Sequence, residues 1–67
     1  MNSFKKARLK IGLTQTEVAN RLGVSIVTVC KWEKGICFPA VKRINAVADA
    51  LNTTVDELLD ERERMSS

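Results

Sequence analysis

QTEVANRLGVSIVTVCKWEK, the run from Gln15 to Lys34, carries two short stretches of helical apolar spacing on either side of Gly23. Two helices can cross steeply within so few residues only where a small side chain lies at their contact and a glycine permits the bend. Ala19 and Gly23 supply both. Val18, Leu22, Val24, Val29 and Trp32 then fall on the inner faces of the pair, which ties it to one shared core.

A bend of this kind between two helices makes a helix-turn-helix unit, here over residues 15–34. Working outward, Gly12, Gly23 and Gly35 punctuate the first half of the chain, and Pro39 and Asn52-Thr53-Thr54 the second. Between them the apolar spacing predicts five helices, about Ser3 to Ile11, Gln15 to Leu22, Ile26 to Lys34, Val41 to Leu51 and Val55 to Arg62. No segment alternates convincingly with period two, so the expected class is all-α. Thr14 with Glu17 and Thr54 with Glu57 fit the capping box, and Ser25 fits a simpler cap. The glycines sit where helices end. Helix 4 offers Val41, Ile44, Val47, Ala48 and Leu51 to the core, and helix 5 offers Val55, Leu58 and Leu59.

The chain has 67 residues, enough for one domain over 1–67 with a short polar tail at 62–67, and its core is small. Such a size argues against a large enzyme cleft. With no histidine, the usual general base near neutral pH is missing, as are the Ser-His-Asp and Cys-His arrangements. Cys30 and Cys37 lack C-x-x-C spacing and histidine partners, so neither an ordinary zinc site nor a disulfide framework is expected. We expect no catalysis, cofactor, metal or small-molecule substrate. No apolar run is long enough for a membrane span or signal core, so a cytoplasmic protein is expected.

The net charge is +3, but it is unevenly placed. Residues 1–34 hold seven cations against two anions, and residues 35–67 four cations against six anions. A basic partner surface is therefore expected mainly in the N-terminal half. Two of these charges sit on apolar stripes: Arg8 shares one with Phe4, Ala7 and Ile11, and Glu33 shares another with Ile26, Val29 and Cys30. An unpaired buried charge costs several kcal/mol. Either the two meet in an ion pair, the reading preferred here, or both reach water at the stripe edge.

The unit, taken with Arg8, Gly12, the entry Leu13-Thr14-Gln15, Trp32-Glu33-Lys34-Gly35 and Pro39, resembles the phage repressor/Cro-type (XRE) helix-turn-helix family from about Phe4 to Leu59. The resemblance implies a compact five-helix, lambda-repressor-like domain. It implies that helix 3 lies in the DNA major groove while helix 2 crosses the backbone. It implies the Arg8–Glu33 pair independently, and it sets Gln15 near a phosphate, the alternative being a solvated first-turn glutamine.

Periodicity leaves two rotations of helix 3 open, because Ile26, Val27, Val29, Cys30 and Trp32 cover much of its circumference. With Val29 and Trp32 inward, as in the family, the groove face presents Val27, Lys31 and Lys34, flanked by Ile26, Cys30 and Thr28, with Ser25 at its start. Relatives place amides where Ile26 and Val27 stand, which argues against simple adenine reading here. Apolar side chains can meet thymine methyls, and Lys31 can donate to guanine, so sites combining T with G are expected. Ile26 and Val27 could equally be core or interface residues, and Lys31 a solvated lysine.

Lys42 and Arg43 stand in the first turn of helix 4, where cations oppose the helix dipole; phosphate contact and simple solubility both account for them. Oxidation at Cys30 as a binding switch stands against the simpler expectation of free, unreactive thiols. Asp56, Glu57, Asp60 and Glu61 read as a solvated helix face rather than a divalent-metal site. The family implies a homodimer through the helix 5 region, spacing two recognition helices about one DNA turn, ~34 Å, apart. The function expected is that of a sequence-specific, nucleoid-associated transcriptional regulator, a repressor at an inverted-repeat operator in double-stranded DNA. The alternative is an antitoxin-like or inhibitor module whose chief partner is a protein.

Overall fold

Three side chains start the first three helices. Asn2 accepts the Lys5 N–H ahead of α1 (Ser3–Lys10), Thr14 accepts the Glu17 N–H ahead of α2 (Gln15–Leu22), and Ser25 accepts the Thr28 N–H ahead of α3 (Ile26–Glu33). Each such bond satisfies one of the amides that a helix start leaves open. At α2 the box is complete, since the Glu17 carboxylate accepts from the Thr14 backbone N–H in return. The chain continues through α4 (Val41–Ala50) and α5 (Val55–Ser66). The structure, a computed structural model, describes the backbone of residues 2–66 and the side chains of residues 2–62. Among the described residues there is no strand, and no helix is long and apolar enough to cross a membrane.

The second capping box forms only by half. Thr54 Oγ1 accepts the Glu57 N–H, but the Glu57 carboxylate takes the Thr53 hydroxyl rather than the Thr54 amide. No side chain caps α4, whose N-cap is Ala40. Asn52, with φ 51°, supplies the left-handed residue that a glycine provides elsewhere.

At the bend of the unit Gly23 has φ 67°, and its N–H reaches back to the α2 carbonyls. A Cβ there would meet nothing within 4 Å, so what requires glycine is the backbone conformation and not crowding.

The core draws on every helix. Phe4, Val18, Ala19, Val29, Trp32, Ile44, Val47, Ala48, Leu51 and Leu58 are buried, with Leu22, Val24 and Val55 packed against them. Phe4 anchors the aromatic part, lying 6.1 Å from Trp32 and edge-on to Phe38 at 5.7 Å between centroids. Val41 and Leu59 depart from the expected core. Val41 is 79% exposed because it opens α4 on the turn before the core begins, and Leu59 lies at the edge of the stripe that Leu58 fills.

One further expectation at the C-terminal end is corrected. Glu61 is buried, not part of a solvated acidic face: its carboxylate accepts the Ser3 N–H at 2.6 Å, at the positive end of the α1 dipole. Helix 5, expected to end about Arg62, continues as backbone through Ser66; Arg62 lies over the Phe38 ring at 5.9 Å, and Ser67, at the end of the polar tail expected at 62–67, lies outside the described residues.

Candidate nucleic-acid interface

Burial of Val29 and Trp32 resolves the two open rotations of α3. With that face locked into the core, the face turned outward carries Ile26 and Val27, 45% and 61% exposed, and the exposed Lys31 one turn further on. Thr28 and Cys30 are half-buried at its edges, and Ser25 and Lys34 are exposed at its two ends. With its side chains an α-helix is a rod about 10–12 Å across, comparable to the ~12 Å width of the major groove.

The rod is fixed from below by charge. Arg8 Nε donates to Glu33 Oε2 at 2.7 Å and a second guanidinium nitrogen donates to Oε1 at 3.1 Å, while Nη1 reaches the Leu13 carbonyl at 2.9 Å. Both side chains are at least nine-tenths buried. The Glu33 bond raises the Arg8 pKa, against a smaller desolvation effect in the other direction. One guanidinium thus ties α1, the loop before α2 and the end of α3 together. Asn2 adds a second link by donating to the Trp32 carbonyl at 2.7 Å.

Gln15 belongs to this network. Its amide donates to Glu33 Oε1 at 3.0 Å, and its own oxygen accepts from the Cys30 thiol at 3.1 Å. Helical spacing had no means of revealing this link, since a cysteine in an apolar stripe reads as packing. Ser25 is likewise engaged, its hydroxyl lying 3.0 Å from that of Thr28 in addition to its capping bond.

The remaining basic residues are not all gathered on α3. Lys34 follows its last turn, whereas Lys42 and Arg43 are exposed on α4. Arg43 turns toward the end of α2, where it lies 3.5 Å from the Leu22 carbonyl, a long contact. The two free cysteines are separate in character, Cys30 half-buried and Cys37 exposed.

A core-braced rod with an outward apolar and basic face, set after a glycine bend, defines a domain of the helix-turn-helix class. The chain belongs to the helix-turn-helix family HTH_3, whose model matches residues 4–58. It is 35% identical over 51 residues to the cryptic phage CTXphi transcriptional repressor RstR of Vibrio cholerae, covering 76% of this chain and 46% of that protein. It is 34% identical over 61 residues to the HTH-type transcriptional activator BcrR of Enterococcus faecalis, covering 88% of this chain and 30% of that protein. The chain therefore spans less than half the length of either relative. No solved structure matches it significantly.

Proposed function

We propose that this chain binds double-stranded DNA as a homodimer at an inverted-repeat operator, with α3 in the major groove, and represses transcription by occupying a promoter. The observation that carries the reading is the exposure of Ile26, Val27 and Lys31 on a helix whose opposite face is immobilised in the core. Folding alone gives no reason to display two branched apolar side chains at the start of that helix, the part that meets base edges when such a unit docks. Both relatives are named as transcriptional regulators, one a repressor and one an activator.

In this reading Ile26 and Val27 rest on thymine methyls and Lys31 donates to guanine O6 and N7. Lys34, Lys42 and Arg43 supply phosphate contact, joined by the neutral groups of Gln15, Ser25 and Thr28. Selection thus comes from α3 and affinity from the cations. The domain measures 30 Å along its longest axis, and half-sites one turn apart are ~34 Å from centre to centre, so an inverted repeat needs two copies. The α5 region, with Leu59 partly exposed, is the surface we assign to the pairing.

Selection of bound sequences from a random duplex pool tests the reading. The expected outcome is two half-sites containing T and G, in inverted orientation and about one turn apart. Recovery of no preferred sequence overturns it. A dimer meeting about 6 to 10 phosphates should lose roughly 10³ to 10⁵ in affinity between 50 and 200 mM salt.

A further inference from the structure

The amide of Gln15 is held at both ends, by Glu33 on α3 at 3.0 Å and by Cys30 on the same helix at 3.1 Å. A carboxylate paired with a guanidinium can only accept hydrogen bonds, so the amide nitrogen faces Glu33. The amide oxygen then faces Cys30, and the sulfur must be the donor. That direction of donation requires a protonated thiol. One of the two amide hydrogens stays outside both bonds.

We propose that Cys30 is a positioning residue for DNA binding: its thiol, by donating to Gln15 Oε1, fixes the amide so that the remaining N–H is offered to a phosphate oxygen. The inference rests on the duplex-binding reading above and adds a residue that touches no nucleotide. Without the thiol, the amide keeps its bond to Glu33 but can swing about it, and ordering it again on DNA costs affinity. Because the amide is neutral, it displaces no counterion, and because it meets phosphate, it reads no base. Its effect is therefore the same at every sequence and every salt concentration. A serine at this position could make the same donation, and an alanine could not.

The test compares duplex affinity for the wild-type chain, Cys30→Ala, Cys30→Ser, Gln15→Ala and the double variant Gln15→Ala/Cys30→Ala, with melting curves to establish that each is folded. Cys30→Ala should weaken binding by roughly two- to tenfold, the range of one hydrogen bond, without changing the salt slope or the selected sequence. Cys30→Ser should restore most of that loss. In the Gln15→Ala background Cys30→Ala should add nothing, and the Gln15 side-chain NH₂ resonances should move in Cys30→Ala but not in Cys30→Ser. Wild-type affinity in Cys30→Ala, equal losses for Ala and Ser, or additive losses in the double variant each overturn the inference while leaving duplex binding intact. A wild-type chain that binds no duplex overturns both.

Discussion

Arg8 and Glu33, 25 residues apart in sequence, form a fork-to-fork pair at 2.7 and 3.1 Å that ties α1 to the end of α3. Removing one member of a buried pair leaves the other charge without compensation, at a cost of about 3–5 kcal/mol. In a chain of 67 residues that is a large share of total stability. Arg8→Ala should therefore lower the melting temperature by well over ten degrees, at roughly 4–8 °C for each kcal/mol. Replacing both residues with apolar side chains should cost less than Arg8→Ala alone. An unchanged melting temperature in Arg8→Ala would show that the pair does not hold α1 to α3.

Val27 and Val29 lie two positions apart and face opposite ways. Val29→Ala should destabilise the fold by roughly 2 kcal/mol, because it empties packed core space. Val27→Ala should alter stability by less than about 0.5 kcal/mol and still weaken binding to the selected operator, chiefly at a T-containing position. Thermal melts and binding curves on the two variants check this. Equal destabilisation by both would place Val27 in the core and remove it from the interface.

Glu17 is fully exposed, yet its pKa is lowered, first by the Thr14 backbone N–H and then by the Thr14 hydroxyl. A depressed folded-state pKa contributes stability above the unfolded value, near 4.3, and loses it as pH falls through the folded value. A carboxyl titration followed by NMR should place the Glu17 midpoint below that of an ordinary glutamate, with the start of α2 loosening in the same range. A midpoint at or above the ordinary value contradicts the capping role.

Much of this was legible in the sequence because local chemistry and global packing agree. Gly23 with Ala19 and the Thr14–Glu17 box each point to one arrangement, and the fold has it; of the two readings open for the stranded charges of Arg8 and Glu33, the fold has the ion pair. What escaped was set by neighbours distant in sequence. Val41 matches the apolar spacing of α4 but lies beyond the edge of the core, and Glu61 reads as surface charge until α1 brings its open amide to it. On α3 the spacing could not choose a face, since apolar residues encircle it; the burial of Trp32 against Phe4 does. The Cys30–Gln15 bond joins two helices and leaves no periodic trace.

The most direct measurement of the central claim is chemical-shift mapping of the amides on titration with duplex DNA at low ionic strength. The account predicts the largest changes at Ile26, Val27, Thr28 and Lys31, with smaller ones at Gln15 and Lys34 and little at the core-facing Leu58. Saturating duplex that leaves α3 unperturbed would contradict it.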